Sequence, residues 1–376
     1  SRPMPAEPEF FIGLMSGTSL DGVDGVVVGF EADASMKVIA HAGIGFDVAF
    51  RGELLSLNAR GDDELHRAAL AANALARHYA QVVGALLQST GLKAPNVRAI
   101  GAHGQTVRHR PGQFDGRGYT VQLNQPALLA ELTGIDVVCD FRSRDVAAGG
   151  QGAPLAPFFH RAWFAQSGRC VGVLNWGGIA NLTLLRPDGS TIGFDCGPAN
   201  TLLDAWCEQH AGTPFDDGGR WAAQGVVQSA LLERLLTEPF FALAPPKSTG
   251  RDLFNLPWLH ARVPDIASLR PVDVQATLLE LTAVSSADAV RQQTPSVHEL
   301  IVCGGGAHNH QLLARLRALL PQTQVVTSAE RGLPVMQVEA AAFAWLAREC
   351  IERRPLDLPK TTGAQGARVL GAVYPA

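Results

Sequence analysis

Apolar positions in this chain fall into short runs of β-branched and aromatic residues, separated by longer stretches with helical spacing. Residues 10–14 (FFIGL) and 26–30 (VVVGF) read as strands, because such side chains suit a half-buried pleated surface, and 37–46 supplies a third. The Ala- and Leu-rich segment 63–89 has the spacing of a long amphipathic helix. Further strands are expected at 97–102, 119–123 and 136–139, with a helix over 125–132. The pattern then restarts. Residues 171–185 are apolar around a small, polar interruption at 175–181, turn at Pro187-Asp188-Gly189, and continue into a strand at 191–194. Helices are expected at 201–210, from Arg220, and at 273–289, 309–320 and 338–353, with strands at 300–303 and 323–327. Strand, glycine-rich turn and strand at two places predict two lobes, each a βββ-plus-helix unit. The expected boundaries are 1–136 for the first lobe, with 354–376 returning to it, and 137–353 for the second.

Composition narrows the partners. The chain has 376 residues, 47% hydrophobic and 18% charged, enough for two domains with a sizeable core. A net charge of −4 and a pI near 6.3 argue against nucleic acid or an anionic membrane as partner, so a small-molecule ligand is expected. No apolar run reaches the roughly 18 residues a membrane span needs, and the opening residues lack a signal-peptide core, so the expected location is cytoplasmic. Six scattered cysteines without ligand spacing read as buried thiols rather than as disulfides or a zinc site.

Candidate chemistry sits where the apolar runs end. Between the first two strands, Gly13, Gly17, Gly22 and Gly25 free the backbone, while Ser16, Thr18 and Ser19 offer hydroxyls and amides that can wrap phosphate oxygens. Asp21 and Asp24 would meet such oxygens only through a bridging Mg²⁺ or water; the alternative is an ordinary Gly-Ser-Asp hairpin. His103 follows a short strand, where it is either a ligand contact or a satisfied core histidine. The segment 140–159 mixes Arg142, Arg144 and Asp145 with Gly149, Gly150 and Gly152, as loops that line a site do, although a solvated surface loop has the same look. Asp195 closes a strand beside Gly197-Pro198, placed to accept a proton or to cap the next helix. The triplet Gly304-Gly305-Gly306 lies between strand and helix, a platform for phosphate or adenosine. Lys247 and Arg251 lie in PPKSTGR, whose order is wrong for a P-loop; they either reach a ligand or stay in solvent. Glu339 opens the last long helix, facing a ligand or only favouring the helix dipole.

Taken together, GLMSGTSLDGVD (13–24), DFRSRDVAAGGQGAP (140–154), NWGGIANLT (175–183), FDCGPAN (194–200), PKSTGR (246–251) and CGGGAHN (303–309) resemble the anhydro-N-acetylmuramic acid kinase family, of the sugar kinase/Hsp70/actin superfamily. The resemblance spans nearly the whole chain. It departs at Trp176, where an aliphatic is common, and at Cys196, where Thr or Ser is common. It implies an α/β, two-lobed actin-like (ribonuclease H-like) ATPase fold with a central ligand cleft, using ATP and Mg²⁺ on 1,6-anhydro-N-acetylmuramic acid in cell-wall recycling. By similarity Asp195 is the general base toward water and Glu339 assists at the sugar. Gly17, Thr18, Ser19, Leu20, Asp21, Gly22, Val23 and Asp24, with Gly304, Gly305 and Gly306, hold ATP. Asp21 and Asp24 order the metal through water, and Arg142, Asp145, His103 and Asn181 meet the sugar. A homodimer is expected from the same resemblance. The rival expectations are an ordinary amino-sugar or hexose kinase of this superfamily and a non-enzymatic nucleotide-driven binding protein; the sequence offers neither a basic helix-turn-helix nor a peptide-binding domain for the latter.

Overall fold

The computed structural model describes residues 7–376, which form two compact units: the described part of Ser1–Phe159 with Gln337–Ala376, and His160–Met336. In the first unit the strands are β1 (Glu9–Met15), β2 (Gly22–Phe30), β3 (Met36–Gly45), β4 (Val97–Ala102), β5 (Gln105–Pro111), β6 (Gly118–Leu123) and β7 (Val137–Cys139). Its main sheet runs β3-β2-β1-β4-β7 and ends on the C-terminal strand Ala372–Tyr374; β5 and β6 form a separate hairpin. The first three strands are antiparallel, and β4 and β7 join in parallel.

Alternation along β1 assigns one helix to each face of that sheet. Ile12 and Leu14 pack with Leu75, Tyr79, Val82 and Leu86 of the helix Glu64–Thr90, all fully buried, and Gly91 at φ +74° stops that helix. Gly13, between those two strand residues, faces the helix Val338–Ile351. A Cβ there would lie 1.8 Å from the Ala340 carbonyl oxygen, and one at Gly101 on β4 would lie 2.0 Å from that of Phe343. Two bare backbones therefore let this helix sit directly on the sheet, and that contact places Glu339 in its first turn.

The second unit repeats the plan with β8 (Cys170–Trp176), β9 (Ile179–Leu185), β10 (Thr191–Pro198), β11 (Val297–Cys303) and β12 (Gln324–Thr327), in the order β10-β9-β8-β11-β12. Again the first three strands are antiparallel and the last two parallel. Its core joins Leu174, Trp176 and Leu182 to Leu202, Trp206, Leu278 and Leu281, from the helices Asn200–Ala211 and Pro271–Arg291.

The units divide at 159/160 and 336/337, not at the 136/137 and 353/354 expected from sequence. The reason is pairing: β7 hydrogen-bonds β4, and Val338–Ile351 lies on β1. Segment 140–159, expected as loop, contains the helix Ser143–Ala147 and the start of Ala156–Phe164. The helix expected from Arg220 is only a short turn, and the regular helix begins at Ser229. All six cysteines are free and buried. Among the described residues no helix is long and apolar enough to cross a membrane.

Candidate active site

In the first unit the polar turn between β1 and β2 is shorter than its sequence suggests. β2 starts at Gly22, so Gly22, Val23 and Asp24 are strand residues, with Asp24 paired to Met15 and to Gly43. The free turn is 16–21. Its ends are tied from below: Ser16 Oγ donates to the Gly104 carbonyl at 3.0 Å and lies 3.0 Å from the Tyr79 hydroxyl, and Gln105 Nε2 donates to the Gly17 carbonyl at 3.1 Å. Gln105, which the sequence reading passed over, is 1% exposed, and its Oε1 is buried with no partner. Leu20 and Val23 turn their side chains into apolar clusters, so only their backbone is open to a ligand. Thr18, Asp21 and Asp24 are exposed. Although Asp24 keeps access to solvent, partial burial of its carboxyl and the neighbouring Asp21 push its pKa up, while His41 pulls it down.

Arg142, at the start of Ser143–Ala147, is held from two sides. Its Nη1 donates to the Gly152 carbonyl at 2.9 Å, and its Nε and Nη2 lie 3.2 and 3.1 Å from His103 Nε2. His103 Nδ1 donates to the Gly104 carbonyl at 2.6 Å, which leaves Nε2 as the acceptor. Burial, with Arg142 beside it, lowers the His103 pKa to about 3, so the ring is neutral and serves as a fixed acceptor. Burial also lowers the Arg142 pKa to about 10, against the opposing charges of Glu339 and Asp145. Glu339 itself is raised by burial, lowered by Arg142 and raised by Asp24, although its side chain keeps access to solvent. Asp24, Arg142 and Glu339 thus form one electrostatically linked group.

Two residues expected at the sugar are instead inside this unit. Asp145 is 0% exposed; one oxygen accepts from the Gly152 amide at 2.6 Å and the other from the Thr362 hydroxyl. It shapes the loop that Arg142 grips, and a Cβ on Gly150 would strike it at 2.3 Å. His103 is 5% exposed with both ring nitrogens engaged. Both carry Arg142 into place rather than presenting their own polar atoms.

In the second unit the decisive feature is a row across the sheet. Register places Asn175 on β8 opposite Asn181 on β9, and Asn181 opposite Asp195 on β10. Paired residues share a face, so three polar side chains stand side by side on strands that are apolar apart from Thr183 and Thr191. The interruption expected over 175–181 is only Gly177-Gly178, and Asn175 and Asn181 are strand residues. A β-bulge follows Asp195. Its Oδ2 accepts the Thr249 amide at 2.9 Å, and its own amide donates to the Lys247 carbonyl at 2.9 Å. Burial raises its pKa, and the Thr249 bond works against that rise.

The Gly304–Gly306 turn adjoins this row. Gly304 has φ +80°, and a Cβ there would lie 2.3 Å from Asn175 Oδ1; one at Gly306 would lie 2.4 Å from the Trp176 Cβ. Asn200 Nδ2 donates to the Trp176 carbonyl at 3.0 Å, and the hydroxyls of Thr201 and Thr249 are buried with no partner. These threonines and Asn175 were not singled out from sequence; the signal for Asn175 was its place in NWGGIANLT. Lys247 does not reach outward: its Nζ donates to the Phe240 carbonyl at 3.1 Å.

Two sheets of one strand order, each opening at its first hairpin on a glycine and polar turn, define an α/β protein of the actin-like (ribonuclease H-like) ATPase fold. Among solved structures the chain is similar, at TM-score 0.49 and 12% identity, to component A of the (R)-2-hydroxyglutaryl-CoA dehydratase of Acidaminococcus fermentans, over 89% of this chain and 96% of that one. The family model for anhydro-N-acetylmuramic acid kinase matches residues 9–376. A relative of that name from Variovorax paradoxus is 60% identical over 374 residues, covering 98% of this chain and 99% of its own. Another, from Albidiferax ferrireducens, is 57% identical over 388 residues, covering 98% and 100%. The chain belongs to the anhydro-N-acetylmuramic acid kinase family, and it is a kinase.

Proposed function

We propose that this chain converts 1,6-anhydro-N-acetylmuramic acid, ATP and water into N-acetylmuramic acid 6-phosphate and ADP, a step of peptidoglycan recycling. The bridged sugar has no free 6-hydroxyl, so its ring must open as the phosphoryl group moves. Asp195 takes a proton from water as the water oxygen bonds to C1; the C1–O6 bond breaks, O6 bonds to the γ-phosphorus, and ADP leaves. The observation that carries this reading is the Asp195 carboxylate, aligned with Asn181 and Asn175 and held by the Thr249 amide. Burial lifts its pKa toward the range in which a carboxylate is a useful base. Glu339 assists at the sugar, and Arg142, fixed by His103 and Gly152, is the donor we assign to the sugar's polar groups.

Residues 17–24, which are the free turn and the start of β2, hold ATP together with Gly304–Gly306. Asp21 and Asp24 suit a Mg²⁺ that keeps its waters: they are exposed and near enough for one to raise the other's pKa. Among the described residues no group of three or more His, Cys, Asp or Glu side chains is arranged to hold a metal ion. Bound there, the ion would neutralise charge on the transferring phosphoryl group. A cytoplasmic homodimer is the assembly we propose.

Product analysis in oxygen-18 water tests the reaction. Label at C1 of the product is the expected result. Unlabelled product from a sugar with a free hydroxyl would point to an ordinary hexose or amino-sugar kinase, and ADP release indifferent to sugar would point to a nucleotide-driven binding protein.

A further inference from the structure

We propose that Lys247 is a positioning residue, whose ammonium ties the loop bearing the Thr249 amide to a core-anchored turn and so fixes the Asp195 carboxylate. This rests on the reading of Asp195 as the base. In the sequence Lys247 invites a role with phosphate, but in the structure its stem and charge turn inward. Nζ donates to the Phe240 carbonyl at 3.1 Å, lies 3.5 Å from that of Phe241, and stands 4.6 Å from the centre of the Phe240 ring. A charge-assisted hydrogen bond and a cation–π contact meet on one residue.

The far side of this clamp is itself fixed. Glu238, 7% exposed, accepts the Phe240 amide, accepts Trp258 Nε1 at 3.1 Å, and pairs with Arg262 at 3.4 Å. The turn Pro239–Ala242 is therefore anchored before Lys247 reaches it. On the near side, the Lys247 carbonyl receives the Asp195 amide, and two residues on the Thr249 amide donates to Asp195 Oδ2. The carboxylate is thus oriented by a loop on the edge of β10 that the Asp195 amide ties to the sheet and the lysine ties to the turn. Beneath it is a cavity of about 50 Å³, whose lining includes Cys196, Phe241, Lys247 and Ser285.

Few charges compete at Asp195. Cys196 follows it on β10, Lys247 approaches from the loop, Asn181 on β9 carries no charge, and Asp288 of the helix Pro271–Arg291 lies at the cavity on the Lys247 side. An amide donor favours the ionised carboxylate, so losing it raises the Asp195 pKa.

The test is the pH profile of sugar-dependent ADP release for the wild type, Lys247→Met, Lys247→Arg and Asp195→Asn. For Lys247→Met we expect kcat to fall roughly ten-fold and the acid limb of kcat/KM to move up by about one pH unit, with KM for ATP unchanged. Lys247→Arg should recover most of both. A folded Lys247→Met whose limb does not move, or an Arg variant no better than Met, overturns the proposal. Should Lys247→Met fail to fold, Thr249→Pro removes the amide donor, with Thr249→Val as the control for loss of the hydroxyl, and an unmoved limb in the proline variant overturns it equally. Asp195→Asn separates the two ideas: wild-type activity in that variant removes the base itself, whereas an inactive one with no lysine effect removes only the clamp.

Discussion

The sheets of the two units have the same strand order, yet they handle polar groups differently. In His160–Met336 the polar residues are built into the strands: Asn175, Asn181 and Asp195 are neighbours by register, and the pleat holds them. In the first unit the charged group is assembled from three separate stretches, with Asp24 on β2, Arg142 before a short helix and Glu339 at the start of a long one. Register alone cannot align the latter, so a supporting layer does it: His103 and Gly152 on Arg142, and two glycines beneath the helix bearing Glu339. A row on a sheet is sensitive to its chemistry, and an assembled group is sensitive to its supports.

That contrast can be broken most sharply at Asp195. Replacing it with Asn should lower kcat roughly 10³-fold, while circular dichroism shows an intact fold. The same variant should melt slightly higher than wild type at neutral pH. A carboxyl whose pKa is raised on folding binds protons more tightly folded than unfolded, so its contribution falls as pH rises through that window, and the neutral amide escapes the penalty. In the first unit the largest effect should come from a support. Gly13→Ala forces a methyl against the Ala340 carbonyl and should cost about 3 kcal/mol in chemical denaturation. Glu339→Gln should lower kcat roughly 30-fold, less than the change at Asp195, with KM for ATP unaltered. His103→Ala removes the acceptor that aims Arg142 and should raise KM for the sugar about ten-fold, with a smaller change in kcat. If His103→Ala instead matched the loss in Asp195→Asn, the first unit's group would be doing chemistry rather than positioning.

The sequence made the strands and long helices legible because their periodicity is strong, as over Glu64–Thr90. The ends of strands were misread for a physical reason. Gly22 to Asp24, Asn175 and Asn181 sit among small or polar residues, so they look like turn, yet the ladders reach them and only Gly177-Gly178 is left between β8 and β9. Those overshot residues are the candidate site. Asp145 was misjudged in the opposite sense: a charge among glycines looks like a ligand contact, and only the fold reveals that Gly152 and Thr362 enclose it. The helix Val48–Ser56 went unseen because Arg51, Gly52 and Glu53 interrupt its apolar residues, and strand β5 because its side chains are mostly Gln, Arg and His. The partners of Lys247 were beyond reach, since nothing in PPKSTGR says that the amine turns back to a carbonyl seven residues earlier.

The glycine-cushioned helix Val338–Ile351 also sets an order of events during synthesis. His160–Met336 is a continuous stretch and can close on itself as soon as it has emerged. The unit begun earlier must wait, with the face of β1 and β4 uncovered, until the last forty residues arrive to cover it. A ribosome that stalls near residue 336 would therefore release a chain whose later half is finished and whose earlier half is not.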